Sequence, residues 1–566
     1  MLTLGLSGAW SEGAAVLVED GQVIAAAEEE RMRGARQAGT HGPFPDHPVP
    51  TESVAWCLQK RGLTVANIDH IAYAWDPALL PEGRDIGHRG AGGLGAPWES
   101  VPLAQILLTR SLLQVDAPSA PKGPRARHTA WHYVPHQLAH VAGAYLASPF
   151  AEAAVLCLNG RGERASTTYA FAKGRDITIR GEVAARYSLG ELYSRVTAHL
   201  GFRAGRDEAR VAALAARGKP RYRDVFTGMI TVKERGQYQI AEADLGALLG
   251  PARRPGEPLE SRHEDMACSL QESLNETVRA LAVWLKNETG ARALALAGGV
   301  FQNCVVTSTL RDAGLFQDLW VQAAPGTAGT ALGAALWVDQ MAGPALGRYH
   351  MAHACLGPYF SLTEIEAAIR RSRLTYRRPP AIAVAVAARL ASGKTVAWFQ
   401  GGMEFGAQAL GSRVILATPT DPAMVATINE LKGRESYAPV ASAILAGSVR
   451  DWLEDTQAAP FRSFISQVRS DKRARIPAAT HVDGSARVQT VAHAVQPLFH
   501  DVIEAFGALT GVPLLLSTSF AIGDRPLVCT PTDAIASYAA SPLDALALGP
   551  FLLEKNHGTG PPRPAL

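Results

Sequence analysis

The chain has 566 residues, of which 47% are hydrophobic and 19% are charged, a balance typical of folded globular proteins that excludes an intrinsically disordered chain. Lys and Arg (55) nearly balance Asp and Glu (52), and no long basic run occurs, which argues against a nucleic acid as partner. No apolar run is long enough to span a bilayer, and the six cysteines are scattered without Cys-x-x-Cys spacing, so the sequence predicts reduced thiols, no membrane partner and a cytoplasmic location.

The N-terminal residues predict the start of an α/β unit. Leu2–Leu6 and Gly13–Ala27 have the pattern of three strands, joined by a glycine turn and the hairpin at Glu19-Asp20-Gly21. A hairpin this early is typical of nucleotide-binding halves of the actin and sugar-kinase type. A helix at Glu52–Arg61 and a strand at Ile68–Trp75 complete the unit, and residues 77–130, rich in Gly, Pro and Arg, predict an insertion.

A predicted helix that opens at Pro135 carries two histidines. His136 and His140 are four residues apart, so both imidazoles lie on one face within reach of one ion. A buried strand, Ala153–Leu158, follows and ends in the glycine turn Asn159–Glu163. A metal and phosphate corner is one interpretation of this order. An amphipathic helix whose histidines bond to their neighbours is the other.

Two glycine turns follow predicted strands later in the first domain. One contains Gly298 and Gly299 and leads to Asn303, and the other contains Gly329 and Thr330. Backbone N–H groups at the helix N-terminus after such a turn can receive a phosphate or a ribose. Because the two turns occur in succession within a repeated α/β layout, they predict a nucleotide-binding cleft.

The pattern resets near Leu356, so we divide the chain into a first domain of residues 1–355 and a second of residues 356–566. In the second domain, Lys432, Arg487 and Ser519 lie near the ends of apolar segments. Ammonium, guanidinium and hydroxyl donors match phosphate oxygens, which indicates a phosphorylated substrate. For Lys432 and the neighbouring Arg434, a solvated charge run is the alternative.

With these motifs in view, the whole chain resembles the O-carbamoyltransferases of nodulation-factor and antibiotic biosynthesis (NodU/CmcH type). The motifs occur in the family's order across both domains: Pro135-His136-Gln137-x-x-His140, Gly298-Gly299-Val300 with Asn303, Gly329-Thr330-Ala331-Leu332-Gly333, Met403-Glu404-Phe405-Gly406, Thr480 to Arg487, and Thr518-Ser519-Phe520. The resemblance implies an α/β fold, with an N-terminal duplicated actin-like (ASKHA, Kae1-like) domain and a smaller C-terminal YrdC-like domain.

The resemblance also implies a two-step reaction that consumes ATP. In the family, the C-terminal domain joins carbamoyl phosphate to ATP and releases pyrophosphate. The N-terminal domain then passes the carbamoyl group from the adenylate to a hydroxyl of a small natural product, beside divalent iron, manganese or zinc. The implied ligands are His136 and His140 for the metal, Gly298, Gly299, Asn303, Gly329 and Thr330 for the nucleotide, and Lys432, Arg487 and Ser519 for the acyl phosphate and adenylate.

Several positions depart from the family pattern in the first domain. The His-Asp pair of the first hairpin, whose histidine is the suspected base, reads Ser11-Glu12 here. Asn159 and Thr327 replace the two aspartates of the metal site. Amide and hydroxyl oxygens are neutral and substitute poorly for carboxylates, so we expect a divalent ion to be held weakly.

The carbamoyl phosphate site departs as well. Gln408, Ala438 and Gly402 stand where the family has arginines, and Ser517 and Ala521 stand where it has asparagines. A hydrogen bond to a charged group contributes about 1.5–3 kcal/mol. The loss of two such donors therefore predicts binding weaker by on the order of 100-fold.

Two functions follow from these observations. The first is a carbamoyltransferase of specialised-metabolite biosynthesis, or a relative that moves another acyl group to a small-molecule hydroxyl or amine. In that case Glu12, Glu163 or Glu404 would stand in for the lost side chains. The second is a catalytically inactive paralog that binds a nucleotide or pairs with an intact carbamoyltransferase. We adopt the enzyme as the hypothesis, and a homodimer is also open.

Overall fold

The computed structural model describes residues 1–9, 12–34, 49–79, 112, 129–344, 347–455, 457–523 and 525–555. Ser11 and most of the predicted insertion at 77–130 lie outside the described residues. The chain forms two compact units. The first contains Met1–Gly357 with the later segments Phe405–Gln408 and Ala459–Ser466, and the second contains the rest.

The first unit contains two five-stranded sheets with the same topology. Their strands are β1 Leu2–Ser7, β2 Ala14–Glu19, β3 Gln22–Glu28, β4 His70–Tyr73 and β5 Ala130–Tyr133, then β6 Glu152–Leu158, β7 Ala165–Lys173, β8 Asp176–Ala184, β11 Ala293–Ala297 and β12 Asp318–Val321. The strand orders are β3-β2-β1-β4-β5 and β8-β7-β6-β11-β12. In each sheet the first three strands are antiparallel and the last two are parallel to the first. This internal duplication confirms the predicted α/β fold.

The remaining elements of the first unit are mostly helices. They are α1 Glu29–Arg33, α2 Thr51–Gln59, α3 His136–Leu146, α4 Leu189–His199, α5 Glu208–Ala215, α6 Arg223–Met229, α7 Leu245–Leu249, α8 Ser261–Thr289, α9 Cys304–Asp312 and α10 Ala328–Ala342, with the hairpin β9 Ile230–Val232 and β10 Tyr238–Ile240. No helix in the described ranges is both long and apolar enough to cross a membrane.

Helices α3 and α10 occupy equivalent places, because each follows the last strand of its half and the two pack together. A Cβ on Gly333 of α10 would lie 1.8 Å from the carbonyl oxygen of Ala139 in α3. Only glycine permits this approach. The close contact brings the N-terminal regions of both helices, at His136 and Ala328, to the edges of the sheets where the parallel strands end.

Burial in the first unit follows position in the sheets. Central strands β6 and β11 are almost entirely buried and, apart from the exposed Glu152 at the start of β6, consist of apolar residues, whereas the edge strand β8 has mostly exposed or half-buried residues. The predicted strand at Ala153–Leu158 and the predicted helix after Pro135 are both confirmed.

The second unit is built on one mixed nine-stranded sheet, with strand order β13-β21-β20-β14-β15-β19-β16-β18-β17. In the edge strand β17, the first two residues are counted in the first unit. Its elements are α11 Leu362–Ser372, β13 Tyr376–Arg377, α12 Ile382–Ala391, β14 Val396–Phe399, β15 Arg413–Ala417, α13 Met424–Lys432, β16 Ser442–Leu445, α14 Val449–Trp452, β17 Ile465–Gln467, β18 Ser485–Val491, α15 Pro497–Thr510, β19 Leu514–Ser519, α16 Pro531–Ala539, β20 Ala545–Leu548 and β21 Phe551–Glu554. Helices α12 and α15 pack against each other in its apolar core.

Candidate active site

Three turns of the first unit meet where parallel strands end. Strands β6, β11 and β12 run in parallel and lead into turns at Asn159, Gly298 and Pro325. The Gly298 N–H donates to the Pro325 carbonyl at 2.8 Å, and the Gly299 N–H donates to Asn159 Oδ1 at 3.4 Å. Gly298 has φ +96°, and a Cβ there would lie 2.0 Å from the Leu158 carbonyl oxygen, so this turn requires glycine. Ligands of open α/β sheets bind at such edges.

His136 and His140 face each other inside the first unit. Both are buried, with ring centroids 4.7 Å apart in an edge-to-face arrangement. His136 Nδ1 lies 3.3 Å from the carbonyl oxygen of Ala74, and its Nε2 lies 2.8 Å from Nδ2 of Asn159. Burial lowers the pKa of His136 to about 4 and lowers that of His140 well below its usual value. Both imidazoles are therefore neutral at physiological pH.

The orientation of the Asn159 amide follows from its other partners. Its Nδ2 donates to the carbonyl of Arg161 at 2.8 Å, and its Oδ1 accepts from the Gly299 N–H. The Arg161 carbonyl requires a donor and the Gly299 N–H requires an acceptor. The NH₂ group of Asn159 is therefore the end of the amide that points at His136 Nε2. The lone pair of that nitrogen is thereby used by the chain itself.

His140 and Gln322 carry unpaired polar atoms in the interior. Both ring nitrogens of His140, and the side-chain nitrogen and oxygen of Gln322, are buried without a hydrogen-bond partner among the described residues. A Cβ on Gly143 of α3 or on Gly329 of α10 would come within 3.1–3.2 Å of Gln322 Nε2, which places this amide against both helices. Buried polar groups usually have a partner, so these atoms are suited to a bound water or small polar ligand. The sequence analysis did not identify Gln322.

Two glutamates contact the N-termini of α3 and α10, and each glutamate comes from the half of the first unit that does not contain the helix it contacts. Glu163, two residues before β7, accepts from the backbone N–H of His136 at 2.8 Å and of Asp76 at 2.9 Å. Glu12, two residues before β2, lies close to the backbone N–H of Ala328, which favours its charged form. Each glutamate thus follows the first strand of one half and contacts the first residue of the last helix of the other half.

The two glutamates differ in exposure. Glu163 is 6% exposed and surrounded by the groups it binds, whereas Glu12 is solvent-accessible although many atoms crowd its carboxylate. Desolvation raises the pKa of both to about 7, and the carboxylate of Glu28 adds to the shift at Glu12. Glu12 is therefore the glutamate of the pair that a ligand can reach, and its pKa is raised, both of which suit a general base.

The predicted nucleotide-binding residues are not all available to a ligand. Asn303 is half-buried, and its side chain accepts from the Val305 N–H and donates to Gln271 Oε1 at 2.8 Å. Thr330 is buried, and its hydroxyl donates to the carbonyl of Thr327 at 2.7 Å. Gly298, Gly299 and Thr327 lie at the strand-end edge, whereas Gly329 and Thr330 support the first turn of α10. Nucleotide binding by these residues stays a prediction.

In the second unit, Lys432 and Ser519 are in direct contact. Lys432 Nζ donates to the Ser519 carbonyl at 2.6 Å, the Ser519 hydroxyl at 2.8 Å and the Ala521 carbonyl at 2.6 Å. The three ammonium hydrogens are therefore already paired with oxygens of the chain. In this conformation Lys432 fixes the end of β19.

Arg487 lies on the same face of the sheet. Register pairs Ser442 with Val488 in β18 and with Leu516 in β19, so in the next row Ala441 lies between Arg487 and Ser517, and the three residues share one face. Among the described residues, the Arg487 guanidinium has no hydrogen bond or ion pair. Arg487 is thus a cation on the sheet face that also carries the hydroxyl groups of Ser517 and Ser519, a combination suited to phosphate oxygens.

Glu404 organises the loop that follows it in the second unit. Its Oε1 accepts from the backbone N–H groups of Leu410, Ser412 and Arg413 at 2.7–3.2 Å. The carboxylate thus supports a loop. The intervening segment Phe405–Gln408 belongs to the first unit, where the Gly406 N–H donates to Glu28 Oε1 at 2.8 Å.

Comparison with known proteins identifies the family. The family profile described as the carbamoyltransferase N-terminus matches residues 124–336, and the one described as the carbamoyltransferase C-terminus matches residues 387–555. An uncharacterized protein of Synechocystis sp. is 32% identical, covering 98% of this chain and 96% of its own length. The chain belongs to the carbamoyltransferase family.

Other relatives of this chain include the nodulation protein NolNO of Sinorhizobium fredii, which is 34% identical and is aligned over 98% of this chain and 83% of its own length. Nodulation protein U of Rhizobium tropici is 28% identical over 90% of this chain and 89% of its own length. The solved structure of HypF from T. kodakarensis matches with a TM-score of 0.33 and 15% identity over 60% of this chain and 48% of that one, a similarity too low to carry an argument.

The donors at the histidine pair do not fit the divalent ion that the resemblance implies. His136 Nε2 accepts from the Asn159 amide. Thr327, at the other position where the family has an aspartate, carries only a neutral hydroxyl. His140 is the one imidazole of the pair with unpaired nitrogens. Sites for iron, manganese or zinc use several imidazoles and carboxylates, so we derive no step through a metal here.

The raised pKa of Glu163 predicts a pH dependence of stability. A carboxyl that titrates near 4.5 when unfolded and near 7 when folded stabilises the fold while protonated, and that stability is lost as pH rises through about 7. The loss amounts to roughly 3 kcal/mol. Glu163→Gln keeps an oxygen for both backbone N–H groups and does not titrate. Its unfolding free energy relative to the unmodified chain should therefore rise between pH 4.5 and pH 8.

Urea unfolding at a series of pH values measures this difference. The exposed Glu234→Gln serves as the control and should give a difference that is constant with pH. A Glu163→Gln difference that is equally flat across this window would contradict the assignment of a proton to the buried carboxyl.

Proposed function

We propose that this carbamoyltransferase-family protein transfers a carbamoyl or related acyl group to a hydroxyl or amine of a small molecule, through an acyl adenylate formed from ATP. The observation that carries the proposal is the pair of polar sites in a chain that matches the family from end to end. One is the sheet face that carries Arg487 and Ser519 in the second unit, and the other surrounds Glu12 at the strand-end edge of the first.

The first step is adenylate formation. A carboxylate oxygen of the acyl donor attacks the α-phosphorus of ATP, an anhydride forms, and pyrophosphate leaves. Arg487, the cation on this face without a partner among the described residues, is the group we assign to the phosphate oxygens. Lys432 acts as a positioning residue, because its three bonds hold Ser519 and Ala521 in place.

The second step is transfer to the acceptor. The acceptor oxygen or nitrogen attacks the acyl carbon, AMP leaves, and the acceptor proton passes to the carboxylate of Glu12. The accessibility of Glu12 and the upward shift of its pKa support this role. Glu163 is excluded from it because its carboxylate is enclosed and bound to two backbone N–H groups.

The acyl donor is proposed to differ from carbamoyl phosphate. Gln408 and Ala438 stand where the family has arginines, so fewer cations are available for a dianionic phosphate. A donor with a single carboxylate needs fewer of them. With carbamoyl phosphate as donor, the chain would first have to release inorganic phosphate from it by hydrolysis.

ATP–pyrophosphate exchange tests this proposal with a panel of small carboxylic acids beside carbamoyl phosphate. We expect exchange with at least one acid and weak exchange with carbamoyl phosphate. Exchange with carbamoyl phosphate at rates typical of enzymes, about 1–1000 per second, would contradict the altered donor. Silence across the panel, together with nucleotide binding or co-purification of an intact relative, would replace the enzyme by an inactive partner subunit.

A further inference from the structure

A cluster of four side chains in the second unit is not used by the proposed reaction. His500 and Glu504 lie one turn apart on α15, and Asp501 is adjacent to His500. The closest ligand atoms of these three residues all lie within 4.8 Å of one another. His493, in the loop before the helix, places Nε2 3.7 Å from Asp501 Oδ1, and its ring centroid is 5.1 Å from that of His500.

The spacing within this cluster is that of ligands around one ion. His500 Nδ1 lies 3.8 Å from Asp501 Oδ1, and it is buried without a hydrogen-bond partner among the described residues. Charge-assisted hydrogen bonds measure about 2.7–2.9 Å, so separations of 3.7 and 3.8 Å are too long for direct bonds. Two ligands bound tetrahedrally to zinc at about 2.0–2.1 Å are about 3.4 Å apart, so the two measured separations exceed that spacing by only about 0.3–0.4 Å.

We infer that His493, His500, Asp501 and Glu504 form a site for a divalent cation of the zinc type. Two imidazoles and two carboxylates supply nitrogen and oxygen donors, and together they can complete the four-coordinate shell that structural zinc prefers. The site is separate from the histidine pair of the first unit. Three of its four ligands come from one rigid helix, so most of the geometry is set before the ion binds.

The position of the site gives the ion a structural role. Gln496 lies between His493 and the helix, and its Nε2 donates to the Leu410 carbonyl at 2.8 Å. Gln489 donates to the same carbonyl at 2.9 Å and to Gln496 Oε1 at 3.1 Å. An ion that joins His493 to α15 would therefore immobilise the segment that holds the loop organised by Glu404.

Zinc titration of the untagged full-length protein tests this inference, after removal of metal with a chelator. In a His136→Ala/His140→Ala background we expect one zinc per chain by calorimetry, and bound Co²⁺ should give the absorption of a four-coordinate ion. Loss of even an outer-shell partner weakens metal binding about 10–100-fold, so His500→Ala should weaken zinc binding by at least about 100-fold. His350→Ala, an exposed histidine outside the cluster, is the control and should change nothing.

Two results would overturn the inference. One is the absence of zinc binding in the His136→Ala/His140→Ala background when circular dichroism shows that the protein is folded. The other is unchanged affinity in His500→Ala. If the double variant does not fold, the comparison is made in the otherwise unmodified chain, where His500→Ala must lose one zinc per chain for the inference to stand.

Discussion

Lys432→Met is expected to destabilise the second unit and to abolish adenylate formation. Lys432 is 6% exposed, and its ammonium group donates to two carbonyls and one hydroxyl at the end of β19. Methionine fills a similar volume but leaves these three oxygens without their donor. Each unsatisfied buried group costs about 1–3 kcal/mol, so we expect a loss of about 3–5 kcal/mol in the free energy of unfolding.

Lys394→Met is the matched control, because Lys394 is an exposed lysine of the same unit. It should unfold at the same urea concentration as the unmodified chain. Ser519→Ala removes one acceptor and keeps both carbonyl bonds, so it should fold and lose mainly activity. If Lys432→Met unfolds like the control and still forms adenylate, Lys432 has neither the structural nor the positioning role given to it here.

Asn159→Asp combined with Thr327→Asp is expected to convert a weak metal site into a strong one. At present the Asn159 amide donates to His136 Nε2 at 2.8 Å, which occupies the nitrogen that a metal needs. An aspartate cannot donate that bond, so it frees the nitrogen and adds a charged ligand. Without metal, the variant should be less stable, because a buried carboxylate then faces a neutral imidazole.

Thermal unfolding with and without Mn²⁺, Fe²⁺ or Zn²⁺ measures the gain. A ligand at about 100 times its dissociation constant stabilises a protein by about 2.7 kcal/mol, which is a readily measured shift. The experiment belongs in a His500→Ala background, so that the cluster on α15 does not contribute. Adding His140→Ala to the double aspartate variant should remove the gain. The His500→Ala chain in which Asn159 and Thr327 are unchanged should lose its metal on dialysis against a chelator. If it instead keeps one metal ion per chain, the site is not weak and the account is contradicted.

The elements that carry the histidine pair were predictable from sequence, because their signals are local. Apolar runs such as Ala153–Leu158 predict buried strands, and Pro135 followed by strong helix formers predicts a helix. The spacing of His136 and His140 then places both imidazoles on one face. In the structure the two ring centroids are 4.7 Å apart, which confirms this placement.

What the sequence could not provide is the set of contacts between distant segments. The exchange of Glu12 and Glu163 between the two halves depends on the duplicated topology, and neither glutamate has a neighbouring motif that indicates its partner. A repeat analysis could have found the signal, since each glutamate lies two residues before the second strand of its half.

Lys432 shows a second limit of sequence reasoning. Its pairing with Ser519 was consistent with a phosphate site, but the pattern does not reveal that the ammonium group is already hydrogen-bonded to the chain. Side-chain bonds to backbone carbonyls depend on where two distant segments end, at residue 432 and residue 519. It is therefore easier to predict from sequence which residues lie close together than to predict which hydrogen bonds they form.

Trapping with hydroxylamine tests most directly whether the chain makes an acyl adenylate. Hydroxylamine attacks the acyl carbon of an adenylate, giving a hydroxamate and AMP, and mass spectrometry of the product identifies the acyl group. We predict equal amounts of AMP and hydroxamate that require ATP and a donor acid, and their loss in Arg487→Ala. ATP binding without AMP formation, for carbamoyl phosphate and every acid tested, would contradict the proposed activity.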